Sequence, residues 1–158
     1  MQPLKLVTLT ALAVAAGIAA GDRPITISGG STLRFAHVDW NLQDDDQTIL
    51  SPFTGNVTSI TVTSGSGAPK TIAFNGEPCE LSLTFGAIAV TVTANDSARG
   101  FRIKIGGAYF SKHFGRPAQG TFESNDAGSS IKNVKVVKGG AAQSIAVSGH
   151  TEIVIHYE

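Results

Sequence analysis

Cysteine and charge are both scarce in this chain of 158 residues. Cys79 is the only cysteine, which excludes an intrachain disulfide and a zinc cage built on cysteine pairs. Charged residues make up 15% of the chain, well below the roughly 25% of an average soluble protein. The 12 basic and 12 acidic residues cancel, so charge gives no reason to expect nucleic acid or an acidic membrane surface as a partner. Low charge with many glycines and hydroxyl residues instead favours an exported β-protein or the subunit of an assembly.

The motifs of common enzyme classes are missing as well. The G-x-S-x-G nucleophile elbow of hydrolases does not occur, and Gly65-Ser66-Gly67 is better explained as a turn. His150 and Glu152 form an H-x-E pair, but the P-C-x-x-C that completes a zinc deaminase motif does not follow them. No two carboxylates stand out as an acid and base pair. The sequence therefore predicts a protein that is not an enzyme and has no resident cofactor.

No sustained helical period of apolar residues follows residue 20, whereas short alternating segments are frequent. Such segments lie at residues 24–28, 32–38, 57–63, 70–74, 79–84, 88–93, 101–105, 131–137 and 143–147. Glycine-rich turns separate them, which is typical of an all-β sandwich or barrel with about eight to ten short strands. We expect one such domain over residues 21–158.

The final segment, residues 148–158, shows the alternation most plainly. Ile153, Ile155 and Tyr157 fall on one face of the expected strand, and β-branched and aromatic residues suit a pleated, half-buried surface. Such a strand must join a sheet or pair with another chain. We therefore expect an edge or closing strand, with these three residues lining an edge that accepts another strand.

Residues 1–20 have the pattern of a secretory signal peptide, with Lys5 before an apolar stretch and small residues at its end. The stretch is too short and too rich in alanine for a membrane span. The expected mature protein is therefore exported and carries no membrane span. The alternative is a retained strand over residues 4–14, since Leu4, Leu6, Leu12 and Val14 share one parity.

Asp44, Asp45 and Asp46 form the most conspicuous polar cluster. Carboxylates crowded in one loop can hold calcium, which prefers oxygen ligands. Their spacing does not match an EF-hand loop, and a solvated loop is the alternative interpretation.

Trp40, Tyr109 and Phe114 are candidates for a sugar-binding platform, because exposed aromatic rings stack on sugar faces. Packing of the same rings beneath a long loop is the alternative. Together with the aspartate cluster they define a second hypothesis, a secreted β-sandwich that binds carbohydrate or calcium.

Two Asn-x-Ser/Thr sequons occur, at Asn56 and at Asn95. They accept N-linked glycans only in a eukaryotic secretory host. Nothing in the sequence establishes such a host.

Three stretches together resemble a known family. The first is residues 24–27 followed by residues 33–35, and the second is residues 72–78 leading into residues 81–83. The third is residues 136–143 followed by the final strand with its tyrosine. In this order they resemble a family of small secreted bacterial β-sandwich proteins of unknown function, which is similar to fimbrial, pilin-like subunits.

The resemblance implies an immunoglobulin-like antiparallel sandwich located in the bacterial periplasm or on the cell surface. It also implies self-association into a homopolymer by strand complementation, with a periplasmic chaperone as a further partner. Ile25 and Ile27 would then be donor residues, and residues 4–14 an alternative donor strand. The cysteine pair usual in pilins is missing, so this chain departs from that pattern.

Overall fold

The computed structural model describes residues 23–36, 47–53, 56–96, 100–106, 121–125 and 128–158. All regular structure in these ranges is β-strand, and the strands form two antiparallel sheets that pack together. The predicted all-β sandwich is confirmed. The described ranges contain twelve strands, more than the roughly eight to ten expected from the spacing of turns.

The strands are numbered in chain order. The first six are β1 (Arg23–Gly29), β2 (Leu33–Ala36), β3 (Gln47–Phe53), β4 (Val57–Ser64), β5 (Lys70–Ala73) and β6 (Cys79–Phe85). The other six are β7 (Ile88–Asp96), β8 (Gly100–Gly106), β9 (Thr121–Ser124), β10 (Ile131–Lys138), β11 (Ala141–Ile145) and β12 (Thr151–Tyr157). Sheet A has the order β9-β2-β1-β12-β4-β5, and sheet B has the order β11-β10-β6-β7-β8-β3.

The core lies between the sheets and follows from period-two alternation. In β6 and β12 every second residue, beginning with the first, is buried, and the residues between them are half-buried or exposed. The buried apolar side chains of both sheets form one cluster that includes Phe35, Phe85 and Ile103. Each fully buried side chain of this size stabilises the fold by about 1.5–3 kcal/mol, so a chain of this length needs no disulfide.

Turns lie where the glycines predict them, but one turn has an unexpected role. Gly139 and Gly140 have φ of 57° and 91° and join β10 to β11 in a tight hairpin. Gly76, with φ of 81°, lies between β5 and β6. Those two strands belong to different sheets, so the Asn75-Gly76 turn is part of a crossover between the layers.

The final strand is not at an edge. β12 pairs with β1 on one side and with β4 on the other. The expectation of an edge strand is therefore wrong for this sheet. Alternation reveals which face of a strand is buried, but it is the same for edge and central strands, so it could not place β12.

Candidate functional site

The residues predicted to donate and to accept a strand lie opposite one another within the same chain. Ile25 of β1 is in register with Ile155 of β12, and Ile27 is in register with Ile153. All four side chains are fully buried in the core. The structure thus brings the predicted residues together, as neighbours inside one sheet.

β1 has partners along both of its edges, because it lies between β2 and β12. Gly29 ends the strand at a close approach between the sheets: a Cβ there would lie 3.1 Å from two side-chain atoms of Ile131. Residues 30–32 then turn the chain into β2. The first strand of the described chain is therefore closely packed along its length and at its end.

The far end of β12 is held by a backbone pair. The Glu158 N–H donates to the Asn56 carbonyl at 2.9 Å, and the Asn56 N–H donates to the Glu158 carbonyl at 2.7 Å. Tyr157 is buried and in register with Arg23, where β1 begins. Both ends of the β1–β12 pair are thus anchored in sheet A.

Asn95 ties three segments together at the same end of the sandwich. Its side-chain N–H groups donate to the carbonyl of Val57 at 3.1 Å and to that of Glu77 at 2.9 Å, and its Oδ1 accepts from the Val57 N–H at 2.9 Å. The backbone of Asn95 has φ of 60°, which asparagine tolerates better than most residues. The end of β7, the start of β4 and the crossover before β6 are joined through this one side chain.

Among the described residues, one side of the sandwich is open, where the edge strands β5 and β11 come close. A cavity of about 400 Å³ between them is lined by residues that include Val62, Lys70, Ser144 and Ile145. Ser148 closes one end, because its N–H donates to Ser64 Oγ at 2.6 Å and its carbonyl accepts from the same hydroxyl at 2.9 Å. Partly buried apolar side chains, Ile72, Ile145 and Val147, pack against the core here.

The outer face of sheet B carries a shallow groove of about 860 Å³. Hydroxyl and lysine side chains contribute to its lining, including Ser82, Thr84, Thr91, Lys132 and Lys135. Asn133, with φ of 57°, donates to Thr84 Oγ1 at 2.9 Å where the pairing of β10 with β6 is interrupted.

Cys79 is buried at the start of β6. Burial raises the pKa of its thiol to about 12, and the nearby Glu80 carboxylate adds to this effect. A thiol that stays protonated is a poor nucleophile. The environment of this cysteine therefore disfavours reaction of its thiol.

The residues of the carbohydrate and calcium hypothesis lie outside the described residues. These are Trp40, Asp44, Asp45, Asp46, Tyr109 and Phe114. Within the described ranges, no three His, Cys, Asp or Glu side chains lie close enough together to hold a metal ion. The predicted leader or donor segment, residues 1–20, also lies outside.

Sequence reasoning missed two features of the described residues, one in β11 and one at Asn95. A strand was expected at residues 143–147, but the edge position of β11 was missed. The run without any charged side chain, from residue 139 to residue 149, is the signal that could have revealed it. Asn95 attracted notice only as a sequon. Its side chain is committed to two backbone carbonyls, so it is unsuited to carry a glycan in the folded state.

Comparison of the chain with protein-family models, curated proteins and solved structures found no match. Among the described residues, no helix is long and apolar enough to cross a membrane.

Proposed function

We propose that this chain is an exported, non-enzymatic structural protein, the subunit of a bacterial surface fibre assembled by β-strand complementation. One observation supports the proposal most directly. The first described strand, β1, lies beside the last one, β12, with Ile25 and Ile27 opposite Ile155 and Ile153. This is the pair of strands that the fibre hypothesis requires, joined here within one chain.

Exchange of β1 between copies would preserve these contacts. If β1 leaves its own sheet and enters the same position in a neighbour, both isoleucines meet the same partners there. Residues 30–32 would be the hinge. If each copy gives its strand to one neighbour and receives a strand from another, the exchange is heterologous and propagates into a filament, whereas reciprocal exchange between two copies would close into a dimer.

When β1 leaves its own sheet, the position between β2 and β12 is empty, which explains why a chaperone would be a partner. Each buried isoleucine contributes about 1.5–3 kcal/mol, which is a large part of the roughly 5–15 kcal/mol by which a domain is stable. A copy that lacked β1 would expose β12 and the edge of β2. It would need another strand or a chaperone until the exchange is complete.

A cross-link between β1 and β12 tests the proposal. Thr26 and Val154 are in register, and directly opposite residues have Cβ atoms roughly 4.5–5.5 Å apart, close to the reach of a disulfide. We expect the double variant Thr26→Cys/Val154→Cys, in a Cys79→Ala background, to form disulfides between chains after concentration. A ladder of covalent multimers on a non-reducing gel would show them.

The matched control is Thr61→Cys/Thr71→Cys in the same background. These residues face one another in the β4–β5 hairpin, with their hydroxyls 3.0 Å apart, and β1 exchange leaves that pair within one chain. The control should therefore give intrachain disulfides only. If the Thr26/Val154 variant also gives only intrachain bonds, and the wild-type chain elutes as a dilution-insensitive monomer, the proposal is wrong.

A further inference from the structure

The backbone of β11 presents a free edge. Gly139 and Gly140 form a two-residue turn that makes Lys138 and Ala141 the first pair of the β10–β11 ladder. Because hydrogen-bonded and non-hydrogen-bonded pairs alternate, Gln143 and Ile145 direct their N–H and C=O groups toward β10. Ala142 and Ser144 direct their N–H and C=O groups away from β10, in the plane of the sheet and out from its edge.

Nothing in the described chain covers or blunts this edge. β11 ends the order of sheet B, and its pairing with β10 has no bulge. Its first four side chains, Ala141 to Ser144, are all exposed, and none of its five residues is charged or a proline. Native proteins protect exposed edges with charge, proline or bulges. The neighbouring edge strand β5 has such protection, because it begins at Lys70 directly after Pro69.

We propose that two copies of this chain associate through β11, by antiparallel pairing of one β11 with the other about a two-fold axis at Gln143. Ala142 of each copy then lies opposite Ser144 of the other. All four outward N–H groups and all four outward carbonyls of the two strands find partners. The two copies of sheet B become one continuous sheet of twelve strands.

The side chains favour a second copy as the occupant. On the face toward the sandwich interior, Ile145 lies opposite Ala141 of the other copy, which gives the half-buried isoleucine an apolar neighbour. The two Gln143 side chains meet on the axis, where one amide can donate to the other. Alanine and serine leave room for the close approach of two backbones, but they form no deep side-chain pockets by which a foreign peptide would be selected.

The charges near the edge do not oppose this pairing. Lys70 lines the cavity beside Ser144 and Ile145, but it belongs to sheet A. The lysines in register with β11, Lys135 and Lys138, belong to β10 and not to β11 itself. Across the paired sheet they are separated from their equivalents by at least three strand spacings, about 14 Å. That distance exceeds the Debye length of about 8 Å at physiological ionic strength.

This contact goes beyond the proposed fibre, because it uses a different strand. Exchange of β1 would join subunits through sheet A, whereas β11 pairing would join them side by side through sheet B. One interaction does not require the other, so each can fail alone.

Charge substitution at the axis tests the proposal and its register together. In Gln143→Lys, two like charges face each other, and the same holds for Gln143→Glu. We expect the dissociation constant of the wild-type dimer to rise at least ~10-fold in each variant, measured by sedimentation velocity on the full chain. An equimolar mixture of the two variants should restore dimers, because lysine then faces glutamate.

The control variant is Ala73→Lys, which adds a charge at an exposed position of the other edge strand, β5. It should leave the dissociation constant within ~3-fold of wild type, and circular dichroism should show that all variants fold. Hydrogen exchange gives an independent test. The amides of Ala142 and Ser144 should become protected as concentration rises, while that of Gln143 is protected at every concentration.

The proposal is overturned if the wild-type chain stays monomeric at high concentration with freely exchanging Ala142 and Ser144 amides. It is also overturned if Ala73→Lys disrupts association as strongly as Gln143→Lys, or if the mixture fails to restore dimers. Polymers that carry Thr26–Val154 cross-links, with no further association that Gln143→Lys removes, would support the fibre and contradict this contact. Dimers that vanish in Gln143→Lys, without those cross-links, would support this contact and contradict the fibre.

Discussion

Asn95 shows how much one polar side chain can organise. Its partly buried side-chain amide donates two hydrogen bonds and accepts one, and these join β7, β4 and the crossover between the sheets. The local sequence reveals a sequon at Asn95 but none of these contacts. The partners are distant in the chain, 38 residues away at Val57 and 18 at Glu77, so no local pattern could reveal them.

We expect Asn95→Gly to lower the free energy of unfolding by about 2 kcal/mol, because each lost hydrogen bond contributes roughly 0.5–1.5 kcal/mol and leaves a backbone group unpaired. Glycine accepts the positive φ, so backbone strain does not enter. Asn133→Gly is the matched control, since Asn133 also has positive φ, is exposed, and donates its exposed side-chain hydrogen bond to the Thr84 hydroxyl. It should stay within ~0.5 kcal/mol of wild type. Equal losses in urea denaturation would refute the role of Asn95.

Burial of Cys79 makes the folded chain less stable as the pH becomes alkaline. Its thiol has a pKa of about 12 in the folded chain against an ordinary value of 9.0. A group whose pKa is raised on folding contributes fully below its unfolded pKa, and the contribution is lost as pH rises toward the folded value. Between pH 8.5 and 10.5 we expect the free energy of unfolding of the wild-type chain to fall by about 1–2 kcal/mol more than that of Cys79→Ala. Denaturation midpoints at the two pH values measure this difference, and parallel decline of both proteins would contradict it.

Single strands show where local pattern stops being informative. The alternation of β12 correctly placed Ile153, Ile155 and Tyr157 on one buried face. It did not place the strand between β1 and β4. Likewise β5 and β6 were recognised as successive strands, yet they lie in different sheets.

The packing of β1 against β10 depends on a glycine. A methyl group at Gly29 would lie 3.1 Å from Ile131 and 3.3 Å from the Thr32 carbonyl, so Ile131 must shift. We expect Gly29→Ala to destabilise the chain by about 1–3 kcal/mol, as overpacking does. Gly30→Ala is the control, because its nearest neighbour is His150 Nδ1 at an ordinary 3.5 Å. Thermal unfolding should give a lower midpoint for Gly29→Ala than for Gly30→Ala. An unchanged midpoint in Gly29→Ala would show that the two sheets can accommodate a methyl group at this point.

For the molecule as a whole, the open side between β5 and β11 is the property that matters for assembly. It arises because each sheet ends, on this side of the sandwich, in a strand that is paired along one edge only. One of these strands is protected by Lys70, and the other carries no charge. The lack of charge from residue 139 to residue 149 is visible in the sequence. That this run forms an edge became visible only with the order of the strands.

The amino-acid sequence by itself determined that the chain is all-β, which residues of each strand face inward, and where glycines allow the chain to turn. These properties depend on near neighbours, because side chains alternate with a period of two and positive φ favours glycine. The tertiary structure alone decided which strands are neighbours. Backbone hydrogen bonds are the same for every sequence, so pairing is selected by side-chain contacts between distant segments. That selection placed β12 in the interior of its sheet and left β11 at the edge.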